Sequence, residues 1–154
     1  MIDFNITSSI YLTSQFVRYF AHFSDSEHRG LVVNVSSLCA IQPFATWSLY
    51  CAGKAARELF SRVLSQEMST SAFQVLNYAP GPLDTYMQKE IRECEGCDAQ
   101  LHTIFETMHS NNSLVSPSDS AKVLVDLALN MFSGASASPK SGDHVDYFDC
   151  ISRK

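Results

Sequence analysis

Tyr50 and Lys54 stand four residues apart in "SLYCAGKAA", residues 48–56, a stretch without an acidic side chain. On a helix such positions share one face, so a phenol and an ammonium would point the same way. Tyrosine has an ordinary pKa of about 10, and a cation within a few ångströms favours its phenolate, each unit of lowering corresponding to about 1.4 kcal/mol. The pair is therefore a candidate proton donor. The same spacing also suits two ordinary residues of an amphipathic helix, and the neighbouring sequence has to decide. Ser36 and Ser37 close the run "LVVNVSS". A serine at a strand end could hydrogen-bond a substrate oxygen beside the tyrosine and orient it. Together these groups suit a carbonyl reduction, with hydride arriving from a cofactor while the tyrosine protonates the developing alkoxide. A serine-hydrolase reading lacks a G-x-S-x-G elbow, and Ser36-Ser37 has no histidine nearby in sequence to activate it.

Three elements have to bring those side chains together. "LVVNVSS", 31–37, is a β-branched run after Gly30 with both faces apolar, as expected of a strand in a parallel sheet. A loop with Pro43 follows, then a helix over about 49–68 carrying Ala52, Ala55, Ala56, Leu59, Phe60, Val63 and Leu64. "FQVLNYA", 73–79, is the next strand, and the order makes a βαβ unit with a right-handed crossover. Ahead of it, Ile6, Ile10, Val17 and Phe20 predict a helix within 2–23. After it come the "PGPLDTYM" turn, a helix to about Arg92, a break at Gly96 and a helix over 98–109. Ser116 as N-cap, Pro117 at N1 and Asp119 at N3 form a capping-box variant opening a helix to about Phe132. "GASASPKSGD" is a turn and "HVDYF" a last short strand. Ligands of open α/β sheets bind outside the carboxyl ends of the strands, where Ser36-Ser37, Pro80-Gly81 and the loop leading to Tyr50 converge.

The 154 residues, 45% of them hydrophobic, are enough for a single domain over 1–154 with a sizeable core. A formal charge of -5 without a basic run argues against nucleic acid or an anionic membrane as partner. No stretch reaches the roughly 18 apolar residues of a membrane span and no secretory leader is legible, so the expected location is cytoplasmic. Five cysteines, an odd number, suit reduced thiols. Cys94 and Cys97 have metal-like spacing, but no second pair completes a site, and no metal is expected.

The serine placed thirteen residues before Tyr-x-x-x-Lys, the "VSS" strand end and the Pro-Gly turn after the next strand resemble the C-terminal half of the short-chain dehydrogenase/reductase family. The blocks "NVSSLCAIQPFATWSLYCAGKAARELF", "VLNYAPGPLDTYMQ" and "SGDHVDYFD" are similar to its pterin-reducing branch in tetrahydrobiopterin biosynthesis. The resemblance implies an α/β fold, the C-terminal part of a Rossmann-like doubly wound parallel sheet with about three strands and flanking helices. It also implies an NADPH-dependent oxidoreductase acting on a pterin or other small carbonyl substrate. Ser37, Tyr50 and Lys54 match the catalytic trio, with Tyr50 and Lys54 also contacting the nicotinamide ribose, and Asn5 matches a helix asparagine of the proton path. Gly81, Leu83, Asp84, Thr85, Tyr86, Met87 and Gln88 match the segment over the nicotinamide and phosphates. Ser37, Leu38, Tyr50, Gly81 and Asp146 would contact substrate, Asp146 as the carboxylate anchoring a pterin ring; His144 is expected to be only its neighbour. A homodimer through helices near 2–23 and 49–68 is implied as well. The family's glycine-rich pyrophosphate turn has no counterpart among the six glycines, which are too far apart. The chain is accordingly expected to be a truncated form, with the strand at 31–37 left unpaired on one side. A non-catalytic fragment that pairs with a longer subunit remains the alternative.

Overall fold

The computed structural model describes residues 3–20, 22, 29–68, 73–136 and 138–152. Three parallel strands, β1 (Gly30–Val35), β2 (Phe73–Ala79) and β3 (His144–Asp146), form one sheet in the order β1-β2-β3. The helices are α1 (Ser8–Phe20), α2 (Ser48–Glu67), α3 (Tyr86–Arg92), α4 (Ala99–Ser110), α5 (Pro117–Ser133) and α6 (Tyr147–Ile151). This is the α/β architecture expected, with α2 as the crossover between β1 and β2. Among the described residues β1 has a ladder partner on one side only.

The pleat of β2 sorts the core into two layers. Phe73 and Val75 face α2, where Leu64 completes a cluster joined by Val17, Phe20, Val32, Phe60 and Met68. Leu76 and Tyr78 face the other way, against Met131 of α5 with Val123, Leu124 and Leu127. Successive side chains of a strand alternate between faces, so a run that is apolar on both sides suits a strand covered by helices on both. The α2 side changes character along the strands. Its apolar half ends at Val32 and Val75, and the next positions are Asn34 and Asn77, which are register partners. Asn34 Nδ2 donates to Asn77 Oδ1 at 2.8 Å, and Asn77 Nδ2 donates to the Gly142 carbonyl at 3.2 Å. The sheet is thus apolar toward the strand starts and polar toward the ends that carry the site.

Several boundaries differ from expectation. The ladder of β1 stops at Val35 rather than at residue 37: Ser36 still donates its N–H to Tyr78 O, but Ser37 turns to cap a short 3-10 helix, Leu38–Ala40. The first helix opens with one wide turn, Asp3–Thr7, and residues 2, 21 and 23 of its expected span lie outside the described residues. The capping box at Ser116 does not form. Ser116 Oγ pairs with Ser118 Oγ at 2.8 Å, and Asp119 instead meets Lys122 Nζ at 3.2 Å. Pro117 at the helix start and Gly134 in the left-handed conformation beyond its end still bound α5. "HVDYF" is strand only to Asp146, because that carboxylate caps α6 and so begins a helix at Tyr147.

Candidate active site

The site grows from the end of β1. Ser37 Oγ accepts the Cys39 N–H at 3.2 Å, which fixes the oxygen and leaves the hydroxyl hydrogen to donate. That hydroxyl lies close enough to the Tyr50 phenol to pull its pKa down. Tyr50 is in the first turn of α2, and Lys54, one turn on, sends its Nζ to the Val35 carbonyl at 2.8 Å. The ammonium stands 5.6 Å from the centroid of the Tyr50 ring, within range of a cation–π contact. Sequence spacing and strand geometry therefore bring Ser37, Tyr50 and Lys54 together. Asn5 joins them from the N-terminal segment: a Cβ built on Gly53 would meet Asn5 Cβ at 3.4 Å, which puts Asn5 beside the residue preceding Lys54.

Burial and neighbouring charge set the protonation of these groups. Burial pushes the Tyr50 phenol above its usual range, and the neighbouring Cys39 thiol adds to that; the Ser37 hydroxyl and the Arg57 guanidinium pull it back. Lys54 is brought down to about 8, first by burial and then by Arg57. The phenol is thus held protonated, with its pKa raised by burial rather than lowered as the Tyr-Lys spacing suggested. Cys39, buried beneath Ser37, is raised to about 11, mainly by burial, so its thiol stays protonated.

Aromatic groups wall the approach. Trp47 stacks on Phe105 of α4 at 5.9 Å and on Phe44 at 6.1 Å, and meets Tyr50 edge-on at 5.7 Å. Leu38 is half exposed beside Ser37. The strand following this wall, β2, ends in the Pro80-Gly81 turn. Gly81 adopts φ +76, and a Cβ there would come 3.1 Å from Val115 Cγ2, so a left-handed glycine lets the turn pass. Val115 clamps the segment, bridging Leu83 and accepting the Asp84 N–H at 2.9 Å. Thr85 then caps α3 by position without a side-chain bond. Tyr86 and Met87 are exposed, whereas Gln88 is buried, taking a hydrogen bond from Arg92 while its Nε2 has no partner.

At the end of β3, Asp146 is 8% exposed. Its Oδ1 accepts the Phe148 N–H at 2.9 Å, but Oδ2 is buried without a hydrogen-bond partner. A buried carboxylate oxygen left open is costly unless something donates to it. Asp146 is the register partner of Ala79, and β1 lies one strand beyond. With strands about 4.8 Å apart, Asp146 and the end of β1 are separated by about 10 Å. Cys94 and Cys97 sit in the turn between α3 and α4, and among the described residues no group of three or more His, Cys, Asp or Glu side chains could hold a metal ion.

Three site residues were not singled out from sequence: Trp47, Arg57 and Glu58. Arg57 and Glu58 follow Lys54 by three and four, so their helical face was readable from spacing. His144 is more than the neighbour it was expected to be, because its Nδ1 meets Glu58 Oε1 at 3.0 Å while Glu58 Oε2 accepts from Ser36 Oγ at 2.5 Å. Histidine is thus linked to a strand-end serine after all, but with the carboxylate between them. The imidazole has no contact through which to take the serine proton, so a hydrolase triad is not assembled.

Residues 1–96 match the short chain dehydrogenase family. The chain is 41% identical to sepiapterin reductase of Xenopus tropicalis over 95% of its own length and 52% of the relative, and 42% identical to that of Rattus norvegicus over 94% and 51%. It is 32% identical to a benzil reductase of Bacillus subtilis over 80% of this chain and 50% of that one. Among solved structures, the KRED1-Pglu enzyme superposes with a TM-score of 0.75 at 28% identity, covering 92% of this chain and 55% of that chain. The chain spans about half the length of the curated relatives it matches. A strand-end serine, a Tyr-x-x-x-Lys on the crossover helix and a family match running through both place the chain in the short-chain dehydrogenase family.

Proposed function

We propose that the chain carries the proton-donating and substrate-holding half of an NADPH-dependent reductase of a pterin side-chain carbonyl, in tetrahydrobiopterin biosynthesis. The observation that carries this reading is the convergence of Ser37, Tyr50 and Lys54 on one strand end, with the open, buried oxygen of Asp146 two strands away. Ser37 orients the carbonyl oxygen and Tyr50 delivers the proton. Lys54 and Arg57 favour the phenolate left behind. A carboxylate accepts two parallel hydrogen bonds, and the amino and ring N–H groups of a pterin form the matching fork for Asp146.

The nicotinamide end of NADPH fits Tyr50, Lys54 and the Gly81–Gln88 segment, whose turn Val115 holds in place. Bound there, the cofactor supplies hydride. The pyrophosphate end finds no glycine-rich turn in these residues. The test therefore joins residues 1–154 to the N-terminal half of the Xenopus tropicalis relative and follows NADPH consumption with sepiapterin. Tyr50→Phe is expected to slow turnover by about 10²- to 10⁴-fold, the usual worth of a general acid; unchanged turnover overturns the assignment.

The benzil reductase relative favours a second reading, a general diketone reductase with the same trio. Asp146→Asn separates the two, since pterin turnover should fall while benzil reduction is spared; equal effects on both favour the general reductase. A homodimer is proposed through α1 and α2, whose outward positions include exposed Tyr11, Leu12, Leu49, Leu59 and Val63. A cytoplasmic location accords with the free cysteines; among the described residues no helix is long and apolar enough to cross a membrane.

A further inference from the structure

The α2 face over the sheet carries one buried acid that the reaction does not require. Glu58 is 3% exposed and Ser36 2%. An aliphatic side chain would fill that position without the desolvation that a carboxylate suffers there. We propose that Glu58 is a positioning residue: its two oxygens hold Ser36 at the end of β1 and His144 at the start of β3, and so set Ser37 and Asp146 at a fixed separation. The proposal rests on the reading of Ser37 and Asp146 as the groups that hold substrate.

The geometry supports a clamp in three ways. First, β1 and β3 are not neighbours, because β2 lies between them, and no ladder hydrogen bond joins them. Glu58 spans the gap from above, with Oε2 on Ser36 Oγ at 2.5 Å and Oε1 on His144 Nδ1 at 3.0 Å. The shorter of the two is in the range of charge-assisted O–H···O bonds, and the longer is an ordinary N···O hydrogen-bond distance. Second, the link to the working groups is covalent and short: Ser36 precedes Ser37, and His144 is two residues before Asp146 on one strand. Third, Glu58 and Lys54 are one helical turn apart and take the last residue of β1 and the one after it, Lys54 the Val35 carbonyl and Glu58 the Ser36 hydroxyl. The helix carrying the proton donor therefore also carries the grip on both strand ends.

His144 reports on this clamp. The Glu58 hydrogen bond raises its pKa above the ordinary 6.5 against the opposing effect of burial, helped by the Glu58 charge from α2, Asp146 on its own strand and Asp149 on α6. The test uses isotopically labelled 154-residue chain and nuclear magnetic resonance. In the wild type the His144 ring should titrate above 6.5. Glu58→Gln keeps the volume and an acceptor for Ser36 but removes the charge, so the His144 midpoint should fall while the Ser36 amide stays protected. Glu58→Leu removes both bonds; amide exchange at Ser36 and Phe148 should then accelerate together by about tenfold, with the ladder around Val32 unchanged.

A His144 midpoint indifferent to Glu58→Gln overturns the proposal, as does acceleration at one strand end only or equally throughout the sheet. Should the leucine variant fail to fold, the glutamine variant decides by its titration and by whether it preserves Ser36. Failure of the reductase reading looks different. The joined chain would then leave sepiapterin and benzil unreduced while the His144 and exchange responses persist.

Discussion

Gly142→Ala is expected to be among the most damaging single-methyl additions in this chain. Gly142 has φ +91, and a Cβ built there would lie 2.3 Å from Ser65 Oγ and 3.0 Å from Ser65 Cβ. The left-handed backbone alone costs an L-residue about 1–2 kcal/mol. The overlap adds about 1–3 kcal/mol, the usual range for an overpacked site. Rotating the Ser65 hydroxyl away would not remove it, because the Cβ remains in place and the hydroxyl would leave the Arg62 carbonyl it bonds at 2.7 Å. The total of about 2–5 kcal/mol is a large part of an ordinary domain's stability. Gly134→Ala supplies the control, since Gly134 has φ +68 with nothing within 4 Å and should lose the backbone part only. Urea unfolding followed by circular dichroism measures both at constant slope. Adding Ser65→Gly to Gly142→Ala should recover the steric part, read as a coupling in a double-mutant cycle. The reasoning is refuted if Gly142→Ala costs no more than Gly134→Ala, or if the cycle shows no coupling. The site is involved because Gly142 donates its N–H to Val75 O and accepts from Asn77, just ahead of His144.

Two further outcomes follow from the buried polar layer and the half-buried cation. Asn77→Leu should cost about 2–4 kcal/mol by stranding the Asn34 amide and the Gly142 carbonyl, and Asn34→Leu in the same chain should return part of it; a single variant as stable as wild type would refute the ladder's importance. Lys54 should titrate at about 8, followed by the resonance of its Cε, and a midpoint at the ordinary 10.5 would refute the burial argument. The sign follows from a depressed folded pKa: the charged lysine costs stability below about 8, and that cost is relieved as pH rises from there toward 10.5.

The elements, and the placing of Ser37, Tyr50 and Lys54 near one strand end, were legible in the chain itself. Periodicity distinguished strands from helices, since a run of Leu and Val apolar on both faces needs two covering layers, and a Tyr-Lys spacing of four shares one face on a helix whatever the fold. The strand ends were legible too, because Ser36-Ser37 and Pro80-Gly81 are chain terminators of known geometry. Local competition moved the boundaries: Ser37 caps a turn instead of extending β1, Ser116 bonds Ser118 instead of an amide, and Asp146 starts a helix.

What only the tertiary structure decided is which distant polar groups meet. Asn34 and Asn77 are 43 residues apart, and Glu58 and His144 are 86 apart. Sequence carries no spacing rule for such pairs, since they depend on strand register and on how α2 lies across the sheet. The open oxygen of Asp146 and the double grip of Glu58 arise the same way. A side chain's local preference is written in its neighbours along the chain, but its hydrogen-bond partner in the interior is whichever group the packing of separate elements delivers.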